Sequence, residues 1–474
     1  MISILIPSGI LLAVYWARYF LVRYKKGQKI PLSVPLAFTC LFIPKVNLIN
    51  VNRTYSTAGI RTDDLLIVVL LIIALREAYT YRNKYIKWGI GFLAALTVSS
   101  MVSMWTGRAG GYDNNILFSV LSALRKVEYF AFAVIGIYIA RNTERAEKTI
   151  LTEFTWMSCL HLIIAGLQIA RVCGYAVSGI ISDKPAFWDV GIAASTFNGH
   201  YEYGHFLCFG IAVYLCHFLR TKKIMSLGMV LVSCGMVWLT DSRSSLMVAL
   251  ALIVLILLFS IRKTSPWWIK AGAAAGVLVF AAAVILFVTG RLKIGRFDVV
   301  NLGEYTEALR VNLENGNLRQ YVELHRGDGW EFAGIKWISD GSASIRFYRW
   351  GAAMDGFRQL PLFGYGTGVT HTMDGSYVKL LGESGIIGTL LWLGMYGFYM
   401  KAMRDARKTV PMARGVLWIM ISILFASVFI DMFEASKPME MMWLAVGLVI
   451  GLAYVRPGNR KEDTEKDCLT GEEA

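Results

Sequence analysis

The segment from His371 to Glu383 carries four residues able to do chemistry: His371, Asp374, Lys379 and Glu383. An imidazole or a carboxylate can take a proton from a hydroxyl nucleophile. Upstream, Arg243 in TDSRSS and the pair Arg346 and Arg349 offer guanidinium groups. Such groups match phosphate oxygens two at a time and stay charged when partly desolvated. Together the set suits transfer to a hydroxyl with departure of an anionic phosphate: arginines stabilise the developing charge and a carboxylate or imidazole accepts the proton.

Each feature also has a plainer reading. Asp241 or Ser242 can cap a helix, leaving Arg243 at the headgroup level. Arg346 lies one turn before Trp350 on the stripe Trp350, Ala353, Phe357, and can snorkel along apolar surface with its head in water. Asp374 can be an N-cap and nothing more. Lys379 and Glu383 stand at i and i+4, where they can neutralise one another in a helix facing protein or a water-filled cavity. His200 and Glu202, within STFNGHYEYGHFL, either help hold an acceptor or belong to an interfacial Tyr/His belt.

The elements that must position these residues follow from composition. The chain of 474 residues is 56% hydrophobic and 17% charged, whereas soluble domains carry roughly 25% charged residues. A polytopic all-α integral membrane fold is expected, with about thirteen spans and twelve or fourteen as alternatives, because roughly 20 apolar residues make one crossing. Pro31, Pro35 and Pro44 in the second segment and Arg125, Lys126 and Glu128 at the start of the fifth leave the number open. The expected division is spans 1–10 within 1–289, a large external segment 290–374 with amphipathic helices, three further spans within 375–455, and a tail 456–474. Gly303 to His325 reads as a helix pair broken at Gly316, and Ile345 to Gln359 as a helix ended by Leu360-Pro361.

The net charge of +15 is sorted by loop, with Lys and Arg concentrated in every second break. That pattern indicates membrane orientation and not nucleic-acid binding: basic breaks and the tail inside, segment 290–374 outside. The first segment reads as a retained anchor. Seven cysteines include no C-x-x-C pair, and the histidines show no metal-ligand spacing, so neither a disulfide framework nor a metal site is expected. The two halves do not resemble one another, which counts against a repeat-built transporter.

At these residues the chain resembles the O-antigen ligase and O-antigen polymerase superfamily of bacterial membrane glycosyltransferases. The matching pieces are SRSS, Arg346 four residues before Trp350, PLFGYGTG (Pro361 to Gly368) and DGSYVKLLGESGIIG (Asp374 to Gly388). The resemblance implies a GT-C-like helical fold and a metal-independent glycosyltransferase without cofactors. It further implies a donor glycan on undecaprenyl diphosphate, used at the periplasmic face of the bacterial inner membrane, with an acceptor glycan, a chain-length regulator and a flippase as partners. Arg243 and Arg346 match the family's diphosphate-binding arginines, and Asp374 or His371 is the candidate base. Arg349, Glu383, His200 and Glu202 are expected around the substrates. Ligases usually place a histidine nine residues before the motif Glu, where this chain has Asp374, so polymerisation of repeat units is favoured. Ligation of finished glycan to lipid A core or another acceptor is the alternative, and a secondary transporter or lipid-linked sugar flippase the alternative of another class.

Overall fold

The computed structural model describes residues 3–27, 31–50, 59–80, 83–112, 116–177, 180–182, 191–260, 267–288, 302–321, 334–370 and 373–455. His371 and the tail 456–474 lie outside the described residues. Hydrocarbon offers no partner for a backbone N–H or C=O, so the apolar segments satisfy theirs internally, as helices. In chain order these are α1 (Leu5–Lys25), α2 (Ser33–Phe42), α3 (Asp64–Thr80), α4 (Lys84–Ala109), α5 (Ile116–Asn142), α6 (Ala146–Ile169), α7 (His200–Thr221), α8 (Ile224–Leu239), α9 (Arg243–Leu258) and α10 (Trp267–Val288). The later part of the chain forms α11 (Leu302–Glu314), α12 (Gly341–Gln359), α13 (Ser376–Ala406), α14 (Ala413–Ala426) and α15 (Ser436–Ile450).

Among the described residues, six helices are long and apolar enough to cross a membrane: α1, α4, α6, α7, α13 and the run Ser436–Val455 that begins with α15. The molecule is therefore a mostly helical, multi-pass membrane protein. The second apolar segment corrects the expected full span. Its helix α2 has 10 residues, about 15 Å, against a hydrocarbon core of about 30 Å. The chain leaves helical geometry at Ile43, before Pro44, and enters an antiparallel hairpin of β1 (Asn47–Asn50) and β2 (Gly59–Arg61). A second hairpin pairs β3 (Tyr175–Val177) with β4 (Ile180–Ser182). Neither hairpin is part of the all-α expectation.

Long-range hydrogen bonds sort the helix ends into two groups. At one end Tyr399 donates to the Tyr85 carbonyl (2.8 Å), Tyr454 to that of Ala402 (3.1 Å) and Arg414 to that of Phe259 (3.0 Å). At the other, Arg61 donates to Ser436 Oγ (3.0 Å), Ser119 to the Thr367 carbonyl (2.9 Å) and the Ala193 amide to the Leu239 carbonyl (3.0 Å). The bundle is tightest where α5 meets α15. A Cβ on Gly136 would collide with the Leu444 and Leu448 backbone, and one on Gly447 with Ala133. Small residues let membrane helices approach closely where apolar side chains gain little by leaving lipid.

Two features of the later chain position the site. First, α12 begins at Gly341, four residues before the expected start, because Asp340 caps it by accepting from the Ala343 amide (3.2 Å). Its buried face is Ala343, Ser344, Phe347, Tyr348, Gly351, Ala352, Ala353 and Gly356, so the expected inward stripe is rotated: Arg346, Trp350 and Phe357 border that face. Gly351 sets the rotation, since a Cβ there would run into the Asn312 carbonyl and close on the Gly316 Cα, leaving no room for a side chain.

Second, α13 is broken at Gly385 (φ 61°, ψ −166°). The backbone groups freed by the break are taken up by the loop 361–368. The Tyr365 and Gly366 amides donate to the carbonyls of Gly382 (3.0 Å) and Glu383 (3.1 Å), while the Ile386 and Ile387 amides donate to those of Pro361 (2.9 Å) and Leu362 (3.1 Å). Ser103 of α4 also donates to the Glu383 carbonyl. A helix interruption inside a bilayer protein is tolerated when other protein groups satisfy it in this way.

Candidate functional site

Arg243 is the first residue of α9, after a turn in which Asp241 takes a left-handed φ of 53°. Ser242, not Asp241, is the cap, accepting from the Ser245 amide (3.3 Å). The Arg243 side chain crosses to Asp340, with Nη1 donating to Oδ2 at 2.7 Å, and the Tyr305 hydroxyl donates to the same oxygen at 2.6 Å. Partial burial raises the Asp340 carboxyl, but the Tyr305 hydroxyl and the Arg243 guanidinium outweigh it and hold the group below the ordinary carboxylate range.

Arg346 reaches Asp374, Nη2 to Oδ2 at 3.4 Å, and the Trp350 indole donates to the Asp374 carbonyl at 2.6 Å. Gly375 (φ 90°) stands at the cap of α13 and no side chain caps it, so the Asp374 carboxylate is turned to Arg346 and does not serve as an N-cap. Arg349 Nε is buried and has no hydrogen-bond partner among the described residues. Asp340 and Arg346 are six residues apart, about 9 Å along the axis. Arg243 and Arg346, far apart in sequence, are thus both tied to the first two turns of α12. Both ion pairs are partly open: the side chains of Arg243 and Arg346 are 31% and 25% accessible, and that of Asp374 is 40% accessible.

The expected Lys379–Glu383 pair is corrected. Lys379 Nζ lies 2.7 Å from Asp431 Oδ2 and 2.6 Å from Glu434 Oε2. Glu383 instead accepts from the Gly368 amide (3.1 Å) and the Thr370 hydroxyl (2.9 Å). The cause is the break at Gly385, which brings the 361–370 loop against Glu383 and gives its carboxylate closer donors than the lysine one turn back. Asp431 lies in the turn between α14 and α15, where burial raises it to about 6 while Lys379 opposes the rise.

A separate charge cluster lies at the same end of the bundle. Lys45 pairs with Asp63 (2.6 Å) and with Glu440, all three wholly buried. Asp63, Asp64 and Glu128 bring carboxylate oxygens within 4.8 Å of one another, and Lys45 and Arg125 supply cations to that group. Glu202 is buried and sits near the charges of Arg61, Lys45 and Lys437; among the described residues it makes no ion pair with Arg243 or Arg346. His200 opens α7 with its ring against Tyr201 (5.7 Å). His371 lies outside the described residues.

Sequence reasoning missed Asp340, Tyr305, Asp431 and Glu434. Asp340 carried a signal, being a cap residue one position before a helix that begins Gly-Ser-Ala-Ser. Asp431 and Glu434 stand at the mouths of neighbouring helices and could be matched to Lys379 only by asking which charges a buried lysine requires.

A family model described as O-antigen ligase matches residues 227–393, a span that includes Arg243, Arg346, Arg349, Asp374 and Glu383 and leaves out His200 and Glu202. No curated protein matches the chain. The match supports the O-antigen ligase and polymerase superfamily, and with it a glycosyltransferase-like role in polysaccharide assembly, without choosing a member.

Proposed function

We propose that this protein joins lipid-linked oligosaccharide repeat units into a surface polysaccharide, with the arginine pocket at the extracytoplasmic face of a bacterial inner membrane. The carrying observation is that two arginines from distant segments converge on the start of α12, each balanced by a carboxylate it can exchange. An undecaprenyl diphosphate leaving group presents the same oxygen geometry as those carboxylates with more charge.

The proposed reaction is a direct displacement without a metal. An acceptor sugar hydroxyl attacks the anomeric carbon, a C–O bond forms, and the bond to the diphosphate oxygen breaks with its electron pair. Arg243 and Arg346, assisted by Arg349, hold the diphosphate and stabilise its developing charge. Engagement of Arg346 by phosphate releases Asp374, which accepts the proton from the acceptor hydroxyl, with His371 as the other candidate base. Glu383 acts at one remove, holding Gly368 and Thr370 and thereby the loop beside the pocket. His200 stands on the acceptor side, and Glu202 supports it from beside the buried cluster. The division of labour follows the chain: spans within 1–289 and 375–455 form the scaffold, and α11 and α12 of the intervening segment bring Tyr305 and Arg346 to the pocket.

Ligation of finished glycan is the second reading, favoured by the description of the matching family model. The two separate in a deletion strain: single repeat units accumulate if the protein polymerises, and unattached long chains if it ligates. Arg243→Ala and Arg346→Ala should each lower polymer formation by about 10²–10³-fold, the scale of removing one charge-stabilising donor, with membrane insertion unchanged. An unaltered chain-length distribution in both variants refutes the assignment. In proteoliposomes, movement of a lipid-linked unit without elongation would mean a transporter.

A further inference from the structure

At the end of the bundle opposite the arginine pocket, a cavity of about 90 Å³ opens between α6, α7, α14 and α15. Its walls are almost wholly apolar, including Phe154, Val213, Ile419, Leu444 and Leu448. Glu147, His217 and Arg220 stand at its mouth. From Arg220 to Val213 is seven residues, so the cavity reaches about 10 Å into the bundle along α7. Protein interiors are packed at near-crystalline density with few voids larger than a water molecule, and an apolar cavity excludes water and takes apolar guests.

The mouth adds a polar requirement. Arg220 has a side chain 58% accessible, and its ion pair with Glu147 is long, at 3.6 Å. The Glu147 oxygen facing it is already engaged by the Met412 amide (3.0 Å), and His217 hydrogen bonds Ser226 Oγ (2.8 Å). Lys222 and Lys223 follow directly after Arg220, and Lys148 after Glu147. The single acid at the mouth is therefore outnumbered by cations, and Arg220 is left to receive an anion at headgroup depth.

We propose that this cavity is a binding site for an anionic phospholipid of the surrounding leaflet: one acyl chain enters between α7 and α15 while the headgroup phosphate sits on Arg220. An apolar slot explains the chain, and a guanidinium at its rim explains the phosphate, which it meets in a bidentate geometry. The site goes beyond the proposed glycan chemistry and does not rest on it. It lies at the other end of the bundle from Arg243 and Arg346, so its lipid is not the diphosphate donor.

The test is lipid retention by the purified full-length protein, exchanged into mixed micelles containing phosphatidylglycerol and phosphatidylcholine and read by native mass spectrometry. The wild type should retain phosphatidylglycerol over phosphatidylcholine by about fivefold or more, as basic residues near an anionic headgroup dictate. Arg220→Ala should bring that ratio to about one while chain binding persists, because only the phosphate contact is lost. Ala445→Phe and Val416→Phe, which fill the slot, should each reduce retained lipid by about tenfold in protein that stays monodisperse. Equal retention by the wild type and both filled variants overturns the proposal, as does a wild-type ratio near one. A wild type that carries no lipid and is stabilised by either filling substitution also overturns it, since the cavity is then a void or the seat of another part of the chain.

Discussion

Two groups of opposite charges occupy the same end of the bundle and differ in access. In the Lys45 cluster every side chain of the Lys45–Asp63–Glu440 set is shut off from solvent. In the arginine pocket the guanidinium groups remain a quarter to a third accessible, Arg243 beside Asp340 and Arg346 beside Asp374. Ionisable residues in membrane segments read as functional by default, and this contrast divides them. A pair that a ligand is to enter must be reachable and exchangeable. A pair that ties α2, α3 and α15 together need not be, and its partners are fixed for the lifetime of the fold.

The widest separation between the two groups should appear in stability. Lys45→Met strands Asp63 and Glu440 without their cation, and breaking a buried pair from one side costs about 3–5 kcal/mol. Arg346→Met removes a partly open pair worth no more than about 1 kcal/mol. Melting curves in detergent should therefore show a collapse for Lys45→Met and a near wild-type transition for Arg346→Met, despite the latter's loss of polymer formation. Equal destabilisation would erase the distinction.

The pocket's mounting can be tested next. Gly385→Ala forces a Cβ against the Leu362 and Phe363 backbone at a positive φ, and should cost about 1–3 kcal/mol. Gly397→Ala, in the same helix with nothing within 4 Å of the added Cβ, should be neutral or stabilising by up to about 1 kcal/mol. The difference between the two melting temperatures measures what the break requires.

The smallest effect belongs to Asp340. Its folded-state carboxyl lies below the ordinary range, so its contribution is complete above the unfolded value of about 4 and is lost as pH falls through the folded value. Asp340→Asn should lower stability by about 1 kcal/mol or less. The gap to wild type should stay constant from about pH 5 to 8 and close below about pH 4.

Much of this arrangement was legible in the residues themselves. Arg243 could be placed at a helix start because Ser242 precedes an apolar run, and the helix could be found from Ile345 to Gln359, short of its start at Gly341, from its pattern and from Leu360-Pro361. The rotation of that helix was not legible. Trp350 and Phe357 outweigh Gly351 in any apolar count, yet the absent side chain at Gly351 lets the Asn312 backbone approach and sets the buried face. The i, i+4 rule failed at Lys379 because it assumes an unbroken helix and neighbours drawn from the same element. The break at Gly385 gives Glu383 to the preceding loop, and Lys379 finds acids some fifty residues further on. The ten-residue α2 failed for a related reason: hydropathy counts Ile43 to Val46 as apolar, whereas Pro44 diverts the chain and Lys45 is held within the charge cluster.

The loop 361–368 is stitched to both sides of Gly385 by backbone hydrogen bonds, which limits what protein engineering can do there. An epitope, a fluorophore attachment site or one added residue in that loop would slip its amides past the carbonyls they serve and leave those groups bare within the protein. A peptide inserted in that loop, touching neither arginine, can thus silence the molecule.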